Sequence, residues 1–261
     1  ASTFIMGSSE RDIIAAVLDC RRSGAACSEE TYANEVPLHT VKLAAYFLDR
    51  TEVTVTAYRR CVELRRCRAI AYDRGAQRFN RPDFPVTLVT HRDALDYCAF
   101  RGGRLPTEAE FERAARGVAR RRFPWGNLYN SRVSNHGRAV PKVPDSSGAI
   151  SDEPDDDLND ASDGFEELAK VGSFPAGKTP EGILDLAGNA AEWTSETYQG
   201  QYNISPASSL AGPPVLERVV RGGHYQSPPP SLRGAARGHA PPSAFRPTLG
   251  FRCARSAPPD Q

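Results

Sequence analysis

The sequence predicts a single α+β domain, irregular and with little regular secondary structure. Two strong helix starts, at Thr90 and Thr107, lie in the first half of the 261 residues. Residues 118–180 and 196–247 are instead dominated by Gly, Pro, Asn, Asp and Ser, which are typical of turns and loops. Since there is no internal repeat and no clear linker, we expect one domain over residues 1–261.

The N-terminal elements follow from local patterns. Ser9 and the acidic residues after it cap a helix whose apolar run is Ile13–Leu18. Val41–Phe47 is rich in apolar and aromatic residues and predicts a strand. A helix is predicted over Val55–Leu64, with Cys61 in its last turn.

Two capping boxes predict the next helices. Thr90 is followed three residues later by Asp93, and Thr107 by Glu110, so each threonine and its acidic partner satisfy backbone N–H groups at a helix start. The second helix ends at Gly117. Two short strands, Val215–Val220 and Leu249–Ala254, are predicted in the C-terminal region. The long irregular stretches are expected to be functional or to be stabilised by metal or disulfides.

Composition excludes several functional classes. The net charge is +1, with 33 basic and 32 acidic residues, which argues against nucleic-acid binding through bulk charge. The N-terminal apolar run has six residues, whereas a membrane-spanning helix needs about 20. The chain shows no signal peptide and starts without Met, as expected of a mature or trimmed form.

The six cysteines favour disulfides and an oxidising compartment. Cys20 and Cys27 are close in sequence, as are Cys61 and Cys67, and the total is even. Free structural thiols and a metal site remain alternatives, although there is no C-x-x-C and the five histidines show no i,i+4 pair.

Common catalytic signatures are absent: there is no G-x-S-x-G, P-loop, G-x-G-x-x-G after a strand or H-E-x-x-H. The acidic loop 155–166 places Asp155, Asp157, Asn159, Asp163 and Glu166 at calcium-loop positions, but it has Asp160 where an EF-hand needs Gly. It is therefore either a non-EF-hand calcium loop or a solvated acidic loop. Residues 185–193 offer two carboxylates and accessible carbonyls, which also suit calcium.

Seven segments together resemble the formylglycine-generating enzyme family, also called sulfatase-modifying factors. They occur in the family's order between about residues 4 and 255: Phe4–Gly7, Glu52–Thr54, Arg104–Gly117, Phe123–Asn127, Asp185–Thr194, Arg218–Gly223 and Gly250–Arg255. The resemblance implies one irregular domain related to the C-type lectin fold and stabilised by Ca²⁺. It also implies a long-range disulfide between Cys98 and Cys253, with Cys20–Cys27 and Cys61–Cys67 as the other bridges.

The resemblance further implies two calcium sites. The first would use the side chains of Asp185 and Glu192 with the carbonyls of Gly188 and Ala190. The second would use the residues that match the family's other site, namely Asn135, His136 through its carbonyl, Asp163 and Phe165 through its carbonyl.

Catalysis in the family requires a cysteine pair that binds copper(I), and we place the corresponding positions at Pro229 and Gly234. Cys253 is the only cysteine after Cys98, so copper is not expected and the catalytic residues are unknown. We therefore expect an extracellular or periplasmic, non-catalytic domain that binds a peptide, a protein segment or a small polar ligand in the family's cleft. An oxidoreductase with different chemistry in that cleft is the alternative.

Five side chains are candidates to line this cleft, although each could also be structural or an exposed polar residue: His224, Tyr225, Arg233, Arg237 and His239. His224 stands where the family has a serine beside the active centre. With His239 it could bind a metal or transfer protons if the two converge. Trp125 and Trp193 are expected to be core residues.

Overall fold

The computed structural model describes residues 1–22, 27–72, 75–138, 159–202 and 216–258. Within them, α-helices lie in the N-terminal half: α1 (Glu10–Arg22), α2 (Val55–Glu63), α3 (His91–Phe100) and α4 (Glu108–Arg116). None of these helices is long and apolar enough to cross a membrane.

The predicted caps are confirmed. Thr90 and Asp93 form a reciprocal capping box at the start of α3, and Thr107 and Glu110 form another at the start of α4. Each threonine hydroxyl accepts a hydrogen bond from a backbone N–H of the first helical turn, which has no carbonyl partner within the helix. Gly117 ends α4 with a φ of +63°, a left-handed value that favours glycine.

In the part of the chain that the structure describes, the strands are short and belong to three sheets. β1 (Ser2–Met6) pairs with β2 (His39–Leu43), and β3 (Tyr46–Leu48) pairs with β8 (Ala254–Ser256). The third sheet has the order β6-β5-β4-β7 and contains β4 (Ala191–Thr197), β5 (Arg218–Arg221), β6 (Arg237–Ala240) and β7 (Leu249–Gly250).

Two strand predictions need correction, and three strands were missed. The predicted strand Val41–Phe47 is split between β2 and β3, because its halves pair with different partners at opposite ends of the chain. The predicted strand Leu249–Ala254 is likewise split between β7 and β8. The third predicted strand is Val215–Val220. Its first residue lies outside the described residues, and the observed strand β5 begins at Arg218. β1, β4 and β6 were not predicted.

The largest hydrophobic cluster lies between α2, α3 and the four-stranded sheet. Trp193 is fully buried there and donates its indole N–H to the carbonyl of Val89 at 3.1 Å. Tyr97 packs on both Tyr58 and Phe251, with ring centroids 5.6 and 5.5 Å apart. The core role expected of Trp193 is thus observed, while Trp125 is partly buried and stacks on Phe123.

Candidate functional site

All six cysteines form disulfides. The bridges are Cys20–Cys27, Cys61–Cys67 and Cys98–Cys253, so the predicted pairing is confirmed. The third joins α3 to the residue preceding β8 and closes a sequence separation of 155 residues. No cysteine is left free, and a disulfide sulfur is not the soft thiolate that copper(I) prefers. The residues of this chain therefore do not fit a two-thiolate copper site.

The two positions matched to the family cysteines hold side chains without a metal ligand. Pro229 starts the 3₁₀ helix Pro229–Leu232, which precedes Gly234. Gly234 is closely packed against α4: an added Cβ would lie 2.5 Å from Cγ of Arg116 and 3.2 Å from Cβ of Ala115. A larger residue at this position would therefore have to displace Arg116.

A cavity of about 290 Å³ lies beside Gly234, and we call it the arginine cavity. Its wall is formed by Ser8, Asp12, Ala15, Arg116, Arg120, Arg122, Asn127, Arg233 and Ala235. A larger and more open depression, of about 670 Å³, lies along the single loop Trp125–Ser131, where Leu128 is 84% exposed. The arginine cavity is the one that joins α1, α4 and the residues flanking Gly234.

Arg233 reaches the arginine cavity but is held by another residue of the chain. Its two terminal nitrogens donate to the two carboxylate oxygens of Glu35 at 2.9 and 2.5 Å, and its Nε donates to the carbonyl of Pro230. The guanidinium also lies 4.7 Å from the ring centre of Tyr32. Arg233 is 4% exposed and Glu35 is 1% exposed.

Arg237 is held in a similar way in a different place. It donates to both carboxylate oxygens of Glu108 at 2.6 and 3.0 Å and lies 4.0 Å from the ring centre of Tyr202. Another nitrogen donates to the carbonyls of Asn34 and Gly200. Arg237 thus links the segments that contain Asn34 and Gly200 to Glu108 in the first turn of α4.

Of the other three predicted cleft residues, His239 packs on the same Tyr198 ring as Arg237, and the His224 and Tyr225 ring centres are 6.2 Å apart. Tyr225 is buried in a small cluster with Phe79 and Leu168. His239 stacks on Tyr198 and contacts the Glu217 carboxylate. No described contact joins His224 to His239.

His224 is partly buried, and its Nδ1 accepts the backbone N–H of Gln226 at 3.2 Å. Burial, and then the nearby Arg246 guanidinium, lower the pKa of His224 to about 4. The imidazole is therefore neutral at neutral pH. Ligand binding by any of the five residues stays a prediction.

One predicted calcium set is brought together by the fold. Asp163 accepts the backbone N–H of His136 at 2.8 Å and that of Phe165 at 2.9 Å. Asn135 is 1% exposed, and its amide nitrogen donates to the Glu167 carbonyl, whereas its Oδ1 is buried without a hydrogen-bond partner. Burial raises the pKa of Asp163. The unpartnered Asn135 oxygen and the half-buried Asp163 carboxylate, which contacts the residue after Asn135, are oxygen donors that fit Ca²⁺.

The other predicted set is more crowded. Both oxygens of Glu192 accept from the buried Arg252 guanidinium at 2.7 Å. Arg252 also donates to the carbonyls of Leu184 and Asp185 at 3.0 Å. The Asp185 carboxylate accepts the N–H of Gly172 at 2.6 Å. Glu192 therefore already has a cationic partner.

Glu52 is a buried residue to which the sequence analysis gave no role. It is 2% exposed; its Oε1 accepts from Asn189, and its Oε2 has no partner. Burial, together with Asp185 and Glu192, raises the pKa of Glu52 well above its usual value. The Arg252 guanidinium acts on all three carboxylates, and Asp185 lies within hydrogen-bonding reach of Glu52. Acidic oxygens this close together share either a proton or a hard cation such as Ca²⁺.

Side chains alone do not complete either set. Within the described ranges, no three His, Cys, Asp or Glu side chains lie close enough to hold a metal ion. A calcium ion in either set would therefore depend on backbone carbonyls, as the predicted ligands Gly188, Ala190, His136 and Phe165 require. The acidic-loop candidates Asp155 and Asp157 lie outside the described residues.

A comparison with protein families decides the identity of the fold. Residues 16–257 match the family model described as a sulfatase-modifying factor enzyme 1-like domain. The chain belongs to the sulfatase-modifying factor family. The family resemblance and the formylglycine-generating-enzyme-like fold predicted from the sequence are therefore confirmed.

The relatives of this sulfatase-modifying factor domain include proteins with different names. It is 36% identical over 180 residues to the formylglycine-generating enzyme of Bos taurus, which covers 67% of the chain and 45% of the relative. It is 37% identical over 182 residues to the inactive C-alpha-formylglycine-generating enzyme 2 of Mus musculus, covering 67% of the chain and 50% of the relative. The chain thus spans about half the length of these curated relatives.

Solved structures support the same fold. PvdO from Pseudomonas aeruginosa aligns with a TM-score of 0.67 at 24% identity and covers 98% of this chain and 92% of that protein. Treponema denticola variable protein 1 aligns with a TM-score of 0.62 at 19% identity, covering 87% and 89%. At these identities the likeness concerns the fold alone.

The sulfatase-modifying factor domain also contains a buried ionic network that the sequence analysis did not predict. Arg221 is 1% exposed and donates to Glu108 at 2.9 Å, to Glu112 at 2.8 Å and to the Gly234 carbonyl at 2.7 Å. Glu112 in turn accepts from Arg116 at 2.7 Å. The i,i+4 spacing of Glu108 and Glu112 on α4 was the available signal, but their partners are distant in sequence.

Proposed function

We propose that this chain is a non-catalytic sulfatase-modifying factor domain that binds a peptide or a small polar ligand. The observation that carries the proposal is that every cysteine is in a disulfide, including Cys253, the only one in the C-terminal half. In the family, oxygen oxidises a substrate cysteine at a copper(I) ion held by two thiolates, and this chain supplies no free thiol. The similarity to relatives named as inactive supports the same interpretation.

The arginine cavity is the binding site that we favour. It lies beside Gly234, is open to solvent through the partly exposed Asp12 and Arg120, and includes Arg233 from the predicted ligand set. Its volume of about 290 Å³ lies near the lower end of ligand pockets, which span roughly 300–1,000 Å³. A peptide side chain or a small polar molecule is of suitable size.

We also propose an extracellular or periplasmic location and a structural role for Ca²⁺. Three disulfides in one chain are typical of an oxidising compartment. The buried Asn135 oxygen without a hydrogen-bond partner and the raised pKa values of Asp163, Glu52 and Asp185, all caused mainly by burial, support calcium at the two predicted sets. Nucleic acid is not an expected partner, because basic and acidic residues are balanced.

An assay for formylglycine tests the non-catalytic proposal. Copper-loaded protein is incubated under oxygen with a C-x-P-x-R peptide, and the aldehyde is sought by mass spectrometry against a copper-only control. We expect no turnover above that control. Aldehyde formation would contradict the proposal.

A metal inventory of the purified protein separates the proposal from the oxidoreductase alternative. Calcium alone is the expected result, since the predicted ligands are oxygens. Stoichiometric copper or iron would favour an oxidoreductase with different chemistry.

A further inference from the structure

The arginine cavity has an unusual charge distribution. Four guanidinium groups line it, from Arg116, Arg120, Arg122 and Arg233, against the single carboxylate of Asp12. The remaining acidic partners of these arginines, such as Glu35 and Glu112, stand behind them and do not line the cavity. The wall that a ligand would meet is therefore positively charged.

Two arginines of this wall, Arg120 and Arg122, have more N–H donors than the acceptors that they contact. Arg120 donates from Nη2 to Asp12 at 2.7 Å, while its Nε is buried and has no hydrogen-bond partner. Arg122 uses its Nη2 for the Ala15 carbonyl and for Asp19. Because a guanidinium carries five N–H donors, each of these arginines keeps donors for a further acceptor.

The two outer arginines and the two inner ones have different surroundings. The side chains of Arg120 and Arg122 are 29% and 27% exposed, whereas those of Arg116 and Arg233 are about 5% exposed and are fixed by carboxylates. Burial lowers the pKa of Arg122; the Asp19 carboxylate opposes this effect, and repulsion from the nearby Arg233 guanidinium adds to it. An anion between the arginines would relieve this repulsion.

We propose that the arginine cavity binds a small oxyanion, the carboxylate or phosphate group of its ligand, through Arg120 and Arg122. This rests on the proposed function as a ligand-binding domain and names the chemical class of the ligand. The planar guanidinium fork matches both carboxylate and phosphate geometry. Arg116 and Arg233 make the electrostatic potential in the cavity more positive, and their ion pairs with Glu112 and Glu35 fix this part of the cavity wall. Asp12 competes with the ligand for Arg120.

Isothermal titration calorimetry at low ionic strength tests the proposal, with inorganic phosphate and succinate as separate probes. We expect saturable one-to-one binding of at least one probe, and the tighter probe identifies the preferred group. Arg120→Gln and Arg122→Gln should each weaken it by about tenfold, the loss of one charge-assisted hydrogen bond. Added NaCl should weaken it as well, because salt screens exposed charges.

Two further variants control this experiment. Asp12→Asn keeps all four arginines and removes the competing carboxylate, so it should bind the anion more tightly than the parent. Arg92→Gln removes an exposed arginine that pairs with Asp96 on α3, away from the cavity, and should bind as the parent does. Melting curves of all variants check that each one is folded.

Failure of both probes to bind the parent protein would overturn the proposal. So would equal weakening by Arg92→Gln and Arg120→Gln, or weaker binding by folded Asp12→Asn. These outcomes leave the non-catalytic proposal intact, because that proposal depends on the separate aldehyde assay. Aldehyde formation, conversely, would not affect the anion measurement.

Discussion

The Glu35–Arg233 pair offers a quantitative test of whether Arg233 has a structural role. Replacing Glu35 by Gln keeps the side-chain shape but removes the charge that both terminal nitrogens of Arg233 contact, at 2.5 and 2.9 Å. It also perturbs the hydrogen bond from the Ser8 hydroxyl at 2.7 Å. Both members of the pair are almost fully buried, so water cannot replace the lost partner.

Leaving a buried charge without its partner costs about 3–5 kcal/mol. We therefore expect Glu35→Gln to lower the free energy of unfolding by about that amount. For a protein of this size each kcal/mol corresponds to a shift in Tm of about 2–4 °C, so Tm should fall by about 6–20 °C.

Urea unfolding followed by tryptophan fluorescence measures this loss, with the disulfides kept intact. Glu63→Gln is the matched control, because Glu63 pairs with Arg60 at 3.1 Å on the exposed face of α2 and should change stability by less than about 0.5 kcal/mol. The variants Glu35→Gln, Arg233→Gln and the double variant complete a cycle. Equal small effects for Glu35→Gln and Glu63→Gln, with an additive double variant, would show that Glu35 does not stabilise Arg233 in the folded protein.

Three further predictions concern other parts of the domain. Gly234→Ala should lower the free energy of unfolding in urea by about 1–3 kcal/mol, because the added Cβ would lie 2.5 Å from Cγ of Arg116. Gly200→Ala is the control and should not lower it, because no atom lies within 4 Å of the Cβ added there. Excess EGTA should lower Tm, and Asp163→Asn should remove much of that sensitivity; an unchanged melting curve after confirmed metal removal would contradict both calcium sets. The pKa of His224, about 4 in the folded protein against 6.5 for an ordinary histidine, means that the unfolded state binds the proton more readily, so stability should fall as pH decreases from 6.5 towards 4. His224→Gln should flatten that pH dependence in urea unfolding, and an unchanged slope would contradict it.

Local signals in the sequence were sufficient for much of the fold. The capping boxes at Thr90 and Thr107 located α3 and α4, because a cap depends on residues within three positions of each other. The disulfides followed from two local pairs and the family resemblance. The strand predictions failed where the pairing is non-local. Tyr46–Leu48 forms a strand because Ala254–Ser256 lies beside it, and no local sequence pattern encodes that partner.

The candidate site was harder to predict for the same reason. Arg233 and Arg237 were correctly singled out as unusual, but their partners Glu35 and Glu108 lie 198 and 129 residues away. Only the folded chain shows that these guanidinium groups are already bound. Arg120 and Arg122 were not singled out, because arginine is abundant in this chain and a cavity between α1 and α4 has no sequence signature.

The proposed function requires that the cysteines of this domain are structural and leave no thiolate pair for copper chemistry. Alkylation of the native, folded protein followed by intact-mass measurement is a direct test, with a reduced and denatured sample as the control. We expect no alkylated cysteine in the native sample and six in the control. Two alkylated cysteines in the native, fully folded protein, together with stoichiometric copper(I) binding, would contradict it.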